Sequence, residues 1–322
     1  MSDIRGTMAL PAQAIPVPRS LSPQAAAFLA GMVERVSQQS AMPDPVTDGA
    51  DLAVQRLGPA AAAFTGSFET TELGQGALLY RAQPAGAEGR NAEVGYFDIH
   101  GGGFIAGGGE MCRMLAKIRA ADYDAQVFSV DYRLAPAHPF PAALDDCLDA
   151  YRAVLARVDA ANLVVGGSSA GGNLAAALLL RSRAEGLPMP AALLLMTPAT
   201  DMTASGDSRV TNRLLDVSLY GGAGAGPADY LGNSDPRDPY LSPLFGEIGE
   251  DWPPTLLTTG TRDLLLSDTV LMHRKLREAG VDAQLLVTEA GLHIGFMGSA
   301  PEDHFIMAEC RKFVRQAWRI DA

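Results

Sequence analysis

The sequence predicts an α/β fold in which a mostly parallel central sheet is flanked by helices. From residue 75 to the C-terminus, short apolar segments of strand length alternate with longer segments whose apolar residues recur at helical spacing. Hydrophobic residues make up 48% of the 322 residues and charged residues 19%, as is typical of a compact core. Strands that alternate with helices pair in parallel, so we expect helices on both faces of the sheet.

The N-terminal part lies outside this alternation. Residues 1–20 show an irregular pattern, and Ser22 and Pro23 then begin a helix, the serine as its N-cap and the proline in its first turn. We expect this helix to continue to about Gln38. A second, short helix is predicted from Ala50, after a stretch rich in proline and aspartate.

Seven strands and five helices are predicted in the alternating part. The predicted strands cover residues 76–81, 93–99, 125–130, 162–165, 191–196, 255–259 and 283–288. The predicted helices cover residues 110–123, 141–157, 173–183, 267–279 and 301–318. Residues 199–235 fit the alternation poorly, because they are turn-rich and include the glycine-rich stretch 221–226. They are predicted to form an insertion over one end of the sheet.

Charge and composition exclude several classes of protein. The formal net charge of −12 argues against nucleic acid or an anionic membrane surface as a partner, since both require basic patches. No apolar run is long enough to span a membrane, and the N-terminal segment lacks the apolar core of a signal peptide. The three cysteines are far apart and predict neither disulfides nor a metal site. We therefore expect a soluble, cytoplasmic protein.

Residues 98–109 read D-I-H-G-G-G-F-I-A-G-G-G, with six glycines in twelve positions. Glycine-rich loops often bind phosphate, but a Walker loop needs a lysine after the last glycine, and none follows here. Residues 101–109 resemble the dinucleotide-binding motif G-x-G-x-x-G only loosely, and a single match of this kind is weak evidence. The loop therefore needs another explanation.

A stronger motif occurs at residues 167–171, which read G-S-S-A-G between an apolar strand and a helix rich in alanine and leucine. This is G-x-S-x-G in the strand–turn–helix setting of a nucleophile elbow. A serine at this sharp turn exposes its hydroxyl above the sheet, beside the positive end of the following helix. Ser169 stands at the centre of the motif and is the candidate nucleophile, whereas Ser168 fits neither flank.

A serine nucleophile needs a base, and the base needs a carboxylate to orient it. In folds with this elbow the chain order is serine, acid, histidine. Asp263 follows the strand at 255–259 and His293 follows the strand at 283–288, so both are predicted at the sheet edge that carries Ser169. Asp268 is a competitor for Asp263 but is predicted in the first turn of the next helix. The other histidines either precede Ser169 or lie in predicted helices; they are His100, His138, His273 and His304.

Several motifs in a fixed order carry a family resemblance. They are H-G-G-G-F at 100–104, D-Y-R-L-A-P at 131–136, H-P-F-P-A-A-L-D-D at 138–146 and G-S-S-A-G-G-N at 167–173. Together with the segments around Asp263 and His293, they resemble the hormone-sensitive-lipase-like, HGGG-motif branch of bacterial α/β-hydrolase esterases. The resemblance implies an α/β-hydrolase fold with about eight strands and a helical cap.

The same resemblance implies roles for the glycine loop. The N–H groups of Gly102, Gly103 and Ala170 would form an oxyanion hole, with His100 and Gly101 supporting the loop. No metal or organic cofactor is implied. The sequence departs from many relatives at Ser168, where they carry aspartate, and at Ala137, where they carry glutamate. The triad does not depend on Ser168.

Domain boundaries also follow from the resemblance. Residues 61–198 and 236–322 would form the catalytic domain, while residues 1–60 and the insertion 199–235 would form the cap. Relatives often pair through the last strand and helix, so a homodimer is one predicted assembly.

The predicted function is that of a serine carboxylesterase which hydrolyses short-to-medium acyl esters through an acyl-enzyme intermediate. A lactone hydrolase with the same triad is the first alternative, because ring opening uses the same machinery. A non-catalytic ligand-binding protein on this scaffold is the second, since fold does not determine function. A peptidase is disfavoured because such relatives usually carry an additional large domain.

Overall fold

The computed structural model describes residues 14–38, 47–87, 91, 93–219 and 226–320. The first part of the predicted N-terminal arm and most of the glycine-rich stretch at 221–226 therefore lie outside the described residues. Two helices precede the sheet, α1 (Pro23–Gln38) and α2 (Thr47–Ala62). The predicted N-cap of α1 is confirmed, because Ser22 Oγ accepts a hydrogen bond from the N–H of Ala25 at 3.2 Å.

Eight strands form one sheet in the order β1-β2-β4-β3-β5-β6-β7-β8. Strand β2 pairs antiparallel with β1 and β4, and every other neighbouring pair is parallel. The prediction of a mostly parallel sheet of about eight strands is confirmed. The strands are β1 (Gly66–Gly74), β2 (Ala77–Pro84), β3 (Gly95–Ile99), β4 (Gln126–Asp131), β5 (Leu163–Ser168), β6 (Ala192–Met196), β7 (Thr255–Gly260) and β8 (Ala283–Thr288).

Helices cover both faces of the sheet, as predicted. Five of them connect or follow the strands: α3 (Glu110–Tyr123), α4 (Ala142–Leu155), α5 (Ala170–Ala184), α8 (Leu266–Glu278) and α9 (Pro301–Ala317). Two short helices, α6 (Ser208–Thr211) and α7 (Gly226–Leu231), lie in the insertion between β6 and β7.

The core is divided between the two faces because successive side chains of a strand point in opposite directions. In β3, Phe97 packs near Tyr151 of α4 on one face, with ring centroids 6.1 Å apart. Its neighbour Tyr96 packs on Tyr123 of α3 on the other face, with centroids 4.6 Å apart. The central strands are therefore buried on both sides and read as continuous apolar runs.

Strand β1 is the element that the sequence analysis missed. It pairs only with β2, and most of its residues are exposed. Its apolar residues are Phe68 and Leu73, so it lacks the apolar run that identified the other strands. A hairpin turn at Gln75 and Gly76, both with positive φ, is the local signal that could have revealed it.

Strands β5 and β6 end at the same level, because their register aligns Ser168 with Met196. Strands β7 and β8 continue two residues further, to the aligned pair Gly260 and Thr288. The loops that follow these strands therefore meet at one edge of the sheet. This edge carries the candidate site, as is usual for parallel α/β sheets. Of the helices in the described parts of the chain, none combines the length and the apolar character that crossing a membrane requires.

Candidate active site

Ser169 occupies a sharp turn between β5 and α5. Its backbone has φ 55° and ψ −118°, a strained conformation for a residue with a side chain. The turn is held from the adjacent strand, since Ser169 N–H donates to Met196 O at 2.9 Å and Ala199 N–H donates to Ser169 O at 3.2 Å. Strained backbone that neighbouring hydrogen bonds maintain is typical of functional sites.

The glycines on either side of Ser169 are required by close backbone contacts. A Cβ at Gly167 would lie 2.3 Å from the carbonyl oxygen of Gly171, and a Cβ at Gly171 would lie 2.0 Å from that of Ile99. Neither distance is sterically allowed. The G-x-S-x-G spacing therefore lets the N-terminus of α5 approach the end of β3, where the glycine loop begins.

The loop after β3 adopts backbone conformations that favour glycine. Gly102 has φ 118° and Gly103 has φ 61°, and the N–H groups of Ile105 and Ala106 both donate to Gly102 O. Within the described part of the chain, the N–H groups of Gly102 and Gly103 donate to no main-chain carbonyl. The N–H of Ala170 is also available, because the first residues of a helix have no acceptor inside it.

His100 supports this loop from below. Its Nδ1–H donates to Gly101 O at 2.7 Å, and its ring stacks on Tyr132 with centroids 4.1 Å apart. Burial lowers the pKa of His100, so its ring is neutral at physiological pH. A Cβ at Gly107 would lie 2.6 Å from His100 Nδ1. The second glycine cluster therefore lets the chain fold back against this histidine.

Asp263 and His293 are in direct contact. His293 Nδ1 lies 3.1 Å from Asp263 Oδ1, and the side chains are 6% and 0% exposed. Asp263 also accepts hydrogen bonds from the Thr259 hydroxyl at 2.7 Å and from Leu265 N–H at 2.8 Å. With Nδ1–H donated to Asp263, the other ring nitrogen, Nε2, is left as the proton acceptor.

The surroundings of His293 have opposing effects on its charge. Burial lowers the pKa of His293, whereas the negative charge of Asp263, its hydrogen bond and the charge of Asp216 raise it. The carboxylates prevail, and the pKa lies above its ordinary value of 6.5. The site thus stabilises a protonated imidazole, which is the form that a general base reaches after it takes a proton.

Asp216, in the insertion, is a residue that sequence reasoning missed. It is fully buried and accepts hydrogen bonds from Leu264 N–H at 2.8 Å and from His293 N–H at 3.4 Å. Burial raises the pKa of its carboxyl. No motif surrounds Asp216 in the sequence, and its contact with a loop 77 positions away arises only from the chain path.

Asp216, Asp263 and His293 also form a group that could hold a cation, with ligand atoms within 4.8 Å of one another. The atoms concerned are already occupied by hydrogen bonds, however. Asp263 contacts the imidazole and Thr259, and Asp216 accepts from three main-chain N–H groups. A hydrogen-bonded acid–base pair accounts for the arrangement.

The competing carboxylate, Asp268, lies in the first turn of α8, as predicted. It pairs instead with Arg209 of the insertion, with Arg209 Nη2 and Asp268 Oδ2 2.9 Å apart. The structure therefore brings Asp263, and not Asp268, to His293. Another histidine, His273, lies in α8 with Nε2 3.3 Å from Ala283 O, away from this edge.

Ser169 and His293 both follow strands that end at this edge, but no hydrogen bond between described residues joins the Ser169 hydroxyl to the imidazole. Catalytic hydrogen bonds of this kind are often long in a protein without substrate and shorten when substrate binds. The contact between the nucleophile and the base therefore belongs to the proposal below.

Comparisons with known proteins identify the family. The family model described as the alpha/beta hydrolase fold matches residues 96–297. A curated relative from Acinetobacter venetianus, named an esterase, is 38% identical over 188 residues, which are 58% of this chain and 62% of the relative. An ethyl acetate hydrolase from Pseudomonas putida is 33% identical, with 61% of this chain and 64% of the relative covered. The chain thus spans about three fifths of these relatives' length.

A solved structure matches over almost its whole length. It is the crystal structure of an esterase from the bacterial hormone-sensitive lipase family, with a TM-score of 0.79 and 30% identity, covering 92% of this chain and 99% of that one. The chain therefore belongs to the α/β-hydrolase fold family, in its hormone-sensitive-lipase-like branch of bacterial esterases.

Proposed function

We propose that this protein is a serine carboxylesterase in which Ser169 attacks the carbonyl carbon of an ester. His293 Nε2 takes the hydroxyl proton as the new C–O bond forms, and then gives it to the leaving alcohol as the ester bond breaks. Water then attacks the acyl carbon while His293 Nε2 takes one of its protons, and the proton passes to Ser169 Oγ as the acyl-enzyme bond breaks and the acid is released. The contact between His293 Nδ1 and Asp263 Oδ1 at 3.1 Å is the observation that carries this proposal.

The negative charge of the tetrahedral intermediate needs donors that are not already engaged. The N–H groups of Gly102, Gly103 and Ala170 would supply them, because the glycines bring no side chain between the amide and the substrate oxygen. Each such donor contributes roughly 3 kcal/mol of transition-state stabilisation. The unengaged N–H groups of the two glycines support this assignment.

The proposed substrates are short-to-medium acyl esters, bound as small molecules. The name of the Pseudomonas putida relative, ethyl acetate hydrolase, supports the short end of this range. A panel of p-nitrophenyl esters of graded acyl length, with lactones of graded ring size beside them, would define the preferred substrate. Lactone opening needs no further catalytic group.

Replacement of the nucleophile tests the proposal. Ser169→Ala and His293→Ala are each expected to lower kcat for p-nitrophenyl butyrate by about 10⁶-fold, because the attacking group or its base is lost. Ser168→Ala is the matched control: it removes the same hydroxyl one position earlier and should keep the burst of p-nitrophenol. Equal turnover by the Ser169→Ala and Ser168→Ala proteins would refute the proposed nucleophile.

A further inference from the structure

The insertion between β6 and β7 lies along the loop that carries Asp263. Ser208 Oγ donates to Leu264 O at 2.8 Å, and Asn212 Nδ2 donates to Asp263 O at 2.8 Å and to Thr261 O at 3.1 Å. Both Ser208 and Asn212 are buried. Three carbonyl groups of the Asp263 loop are thus bound by side chains from the insertion.

Asp216, one helical turn after Asn212, engages the amide side of the same region. Its Oδ2 accepts from Leu264 N–H, the residue directly after Asp263, and its Oδ1 accepts from His293 N–H. Ser218 donates to the same Oδ1 through its N–H and its hydroxyl. One carboxylate therefore contacts both loops, the one that carries the acid and the one that carries the base.

A second buried carboxylate beside Asp263 is electrostatically costly. Removing a charge from water is unfavourable unless hydrogen bonds and an opposite charge compensate for it. The charged or titratable groups that face His293 are Asp263 from the loop after β7, and Asp216 and Arg209 from the insertion. Arg209 is itself paired with Asp268. Its influence on the imidazole is opposite to that of the carboxylates, which prevail.

We infer that Asn212 and Asp216 are positioning residues for the proposed reaction: they hold the Asp263 and His293 loops at a fixed separation, and the charge of Asp216 stabilises the imidazolium. Neither residue touches the reacting atoms. The inference depends on the proposed function, because it assigns a role toward the same base. It gives the insertion a part in proton transfer in addition to any part in covering the substrate.

Variants at Asp216 and Asn212 distinguish the effect of the Asp216 charge on His293 from the effect of holding the Asp263 loop in place. Asp216→Asn keeps the shape and one acceptor oxygen, but it removes the charge and the acceptor on the other side of the carboxylate. We expect a 10- to 100-fold lower kcat for p-nitrophenyl butyrate, with little change in KM, and an acid limb of kcat/KM that moves to lower pH. Asn212→Ala removes uncharged hydrogen bonds only, so it should lower kcat and leave the acid limb in place.

Asp201→Asn is the matched control. Asp201 is a buried carboxylate of the same insertion, but its carboxylate oxygens accept hydrogen bonds from Thr203 and Ser205 in its own turn. Its contacts with Asp268 and Arg209 are made by main-chain groups, which the substitution keeps. We expect its kcat and its acid limb to equal those of the wild-type protein. Circular dichroism at the assay temperature establishes which variants are folded.

The outcomes are distinct. The inference is overturned if folded Asp216→Asn matches Asp201→Asn in both kcat and acid limb, or if Asn212→Ala matches the wild type in kcat. Should Asp216→Asn not fold, Asn212→Ala alone decides the positioning role. Failure of the proposed function would show itself differently, because Ser169→Ala would then retain activity. In that case His293 would not be the base that the Asp216 variants are designed to test.

Discussion

Gly171 shows how one glycine allows two backbone segments of the site to lie in close contact. Its Cα lies so close to the end of β3 that a methyl group would meet Ile99 O at 2.0 Å and His100 O at 2.5 Å. The N-terminus of α5 and the glycine loop can therefore meet only across a residue without a side chain. Gly31 in α1 is not constrained in this way, because no atom lies within 4 Å of its would-be Cβ.

The contrast between these two glycines gives a stability prediction. Gly171→Ala should lower the free energy of unfolding by more than about 2 kcal/mol, because backbone atoms must move to admit the methyl group. Gly31→Ala should raise it by roughly 0.5–1 kcal/mol, since alanine is the better residue in an open helix position. Urea unfolding of both variants measures the two signs. A neutral Gly171→Ala would contradict the packing described at the turn.

The pH dependence of activity follows from the environment of His293. In the proposed mechanism only the neutral imidazole can accept the serine proton, so we expect activity to be lost as the pH falls through the pKa of His293. Because the two carboxylates raise that pKa above 6.5, the acid limb of kcat/KM in the wild-type protein should have its midpoint above pH 6.5. Steady-state rates between pH 5 and 9 would locate it. A midpoint below 6.5 would mean that burial, and not the carboxylates, dominates.

At the scale of elements, the insertion contacts both halves of the site. Its α6 region binds the Asp263 loop, and its α7 region packs on the glycine loop through Tyr230. The Tyr230 ring stacks on Phe104 with centroids 4.0 Å apart and an angle of 4° between the planes. Phe140 meets the same ring edge-on at 6.0 Å and donates its N–H to Tyr230 O at 2.8 Å. The segment predicted as a cap therefore supports the glycine loop and the Asp263 loop.

Tyr230 allows this support to be tested. Its hydroxyl is buried and has no hydrogen-bond partner among the described residues, so Tyr230→Phe should leave stability unchanged or raise it by about 1 kcal/mol. Tyr230→Ala removes the stacked ring and should cost about 3–5 kcal/mol. Tyr230→Ala should also lower kcat more than it changes KM, because the glycine loop loses the ring that stacks on Phe104. Thermal unfolding with esterase assays distinguishes the variants, and equal kcat for both would argue against the support.

At the scale of the whole molecule, the sheet has an open edge at β8. This strand pairs only with β7, and beside it Val287 of β8 is 45% exposed and Phe305 of α9 is 60% exposed. Unpaired strand edges with apolar side chains favour association with a second sheet. The predicted homodimer would form here, by extension of the sheet across two copies.

Light scattering tests this assembly. The wild-type protein should show twice the mass of one chain, and Val287→Lys should shift it to the monomer by placing a charge on the strand edge. Glu69→Lys is the control, since it places the same side chain at β1, the opposite edge of the sheet. A monomeric wild-type protein, or a dimer that survives Val287→Lys but not Glu69→Lys, would exclude the β8 interface.

Sequence reasoning succeeded where local pattern is decisive. The bounds predicted for α3 match those observed, and the central strands were located because they are continuous apolar runs. It failed for β1, whose exposed residues carry no such signal. It also could not find Asp216, because a buried carboxylate and an exposed one look the same in a sequence.

The sequence by itself determined the α/β alternation, the turn at Ser169, the glycine loop and the order of Ser169, Asp263 and His293 along the chain. These depend on short-range geometry, since strand, turn and helix propensities act over a few residues. Only the tertiary structure decided that Asp216 and Asn212 bind the Asp263 loop and that Tyr230 backs Phe104. Those contacts join residues 48, 51 and 126 positions apart, which meet because the sheet aligns the ends of its strands at one edge.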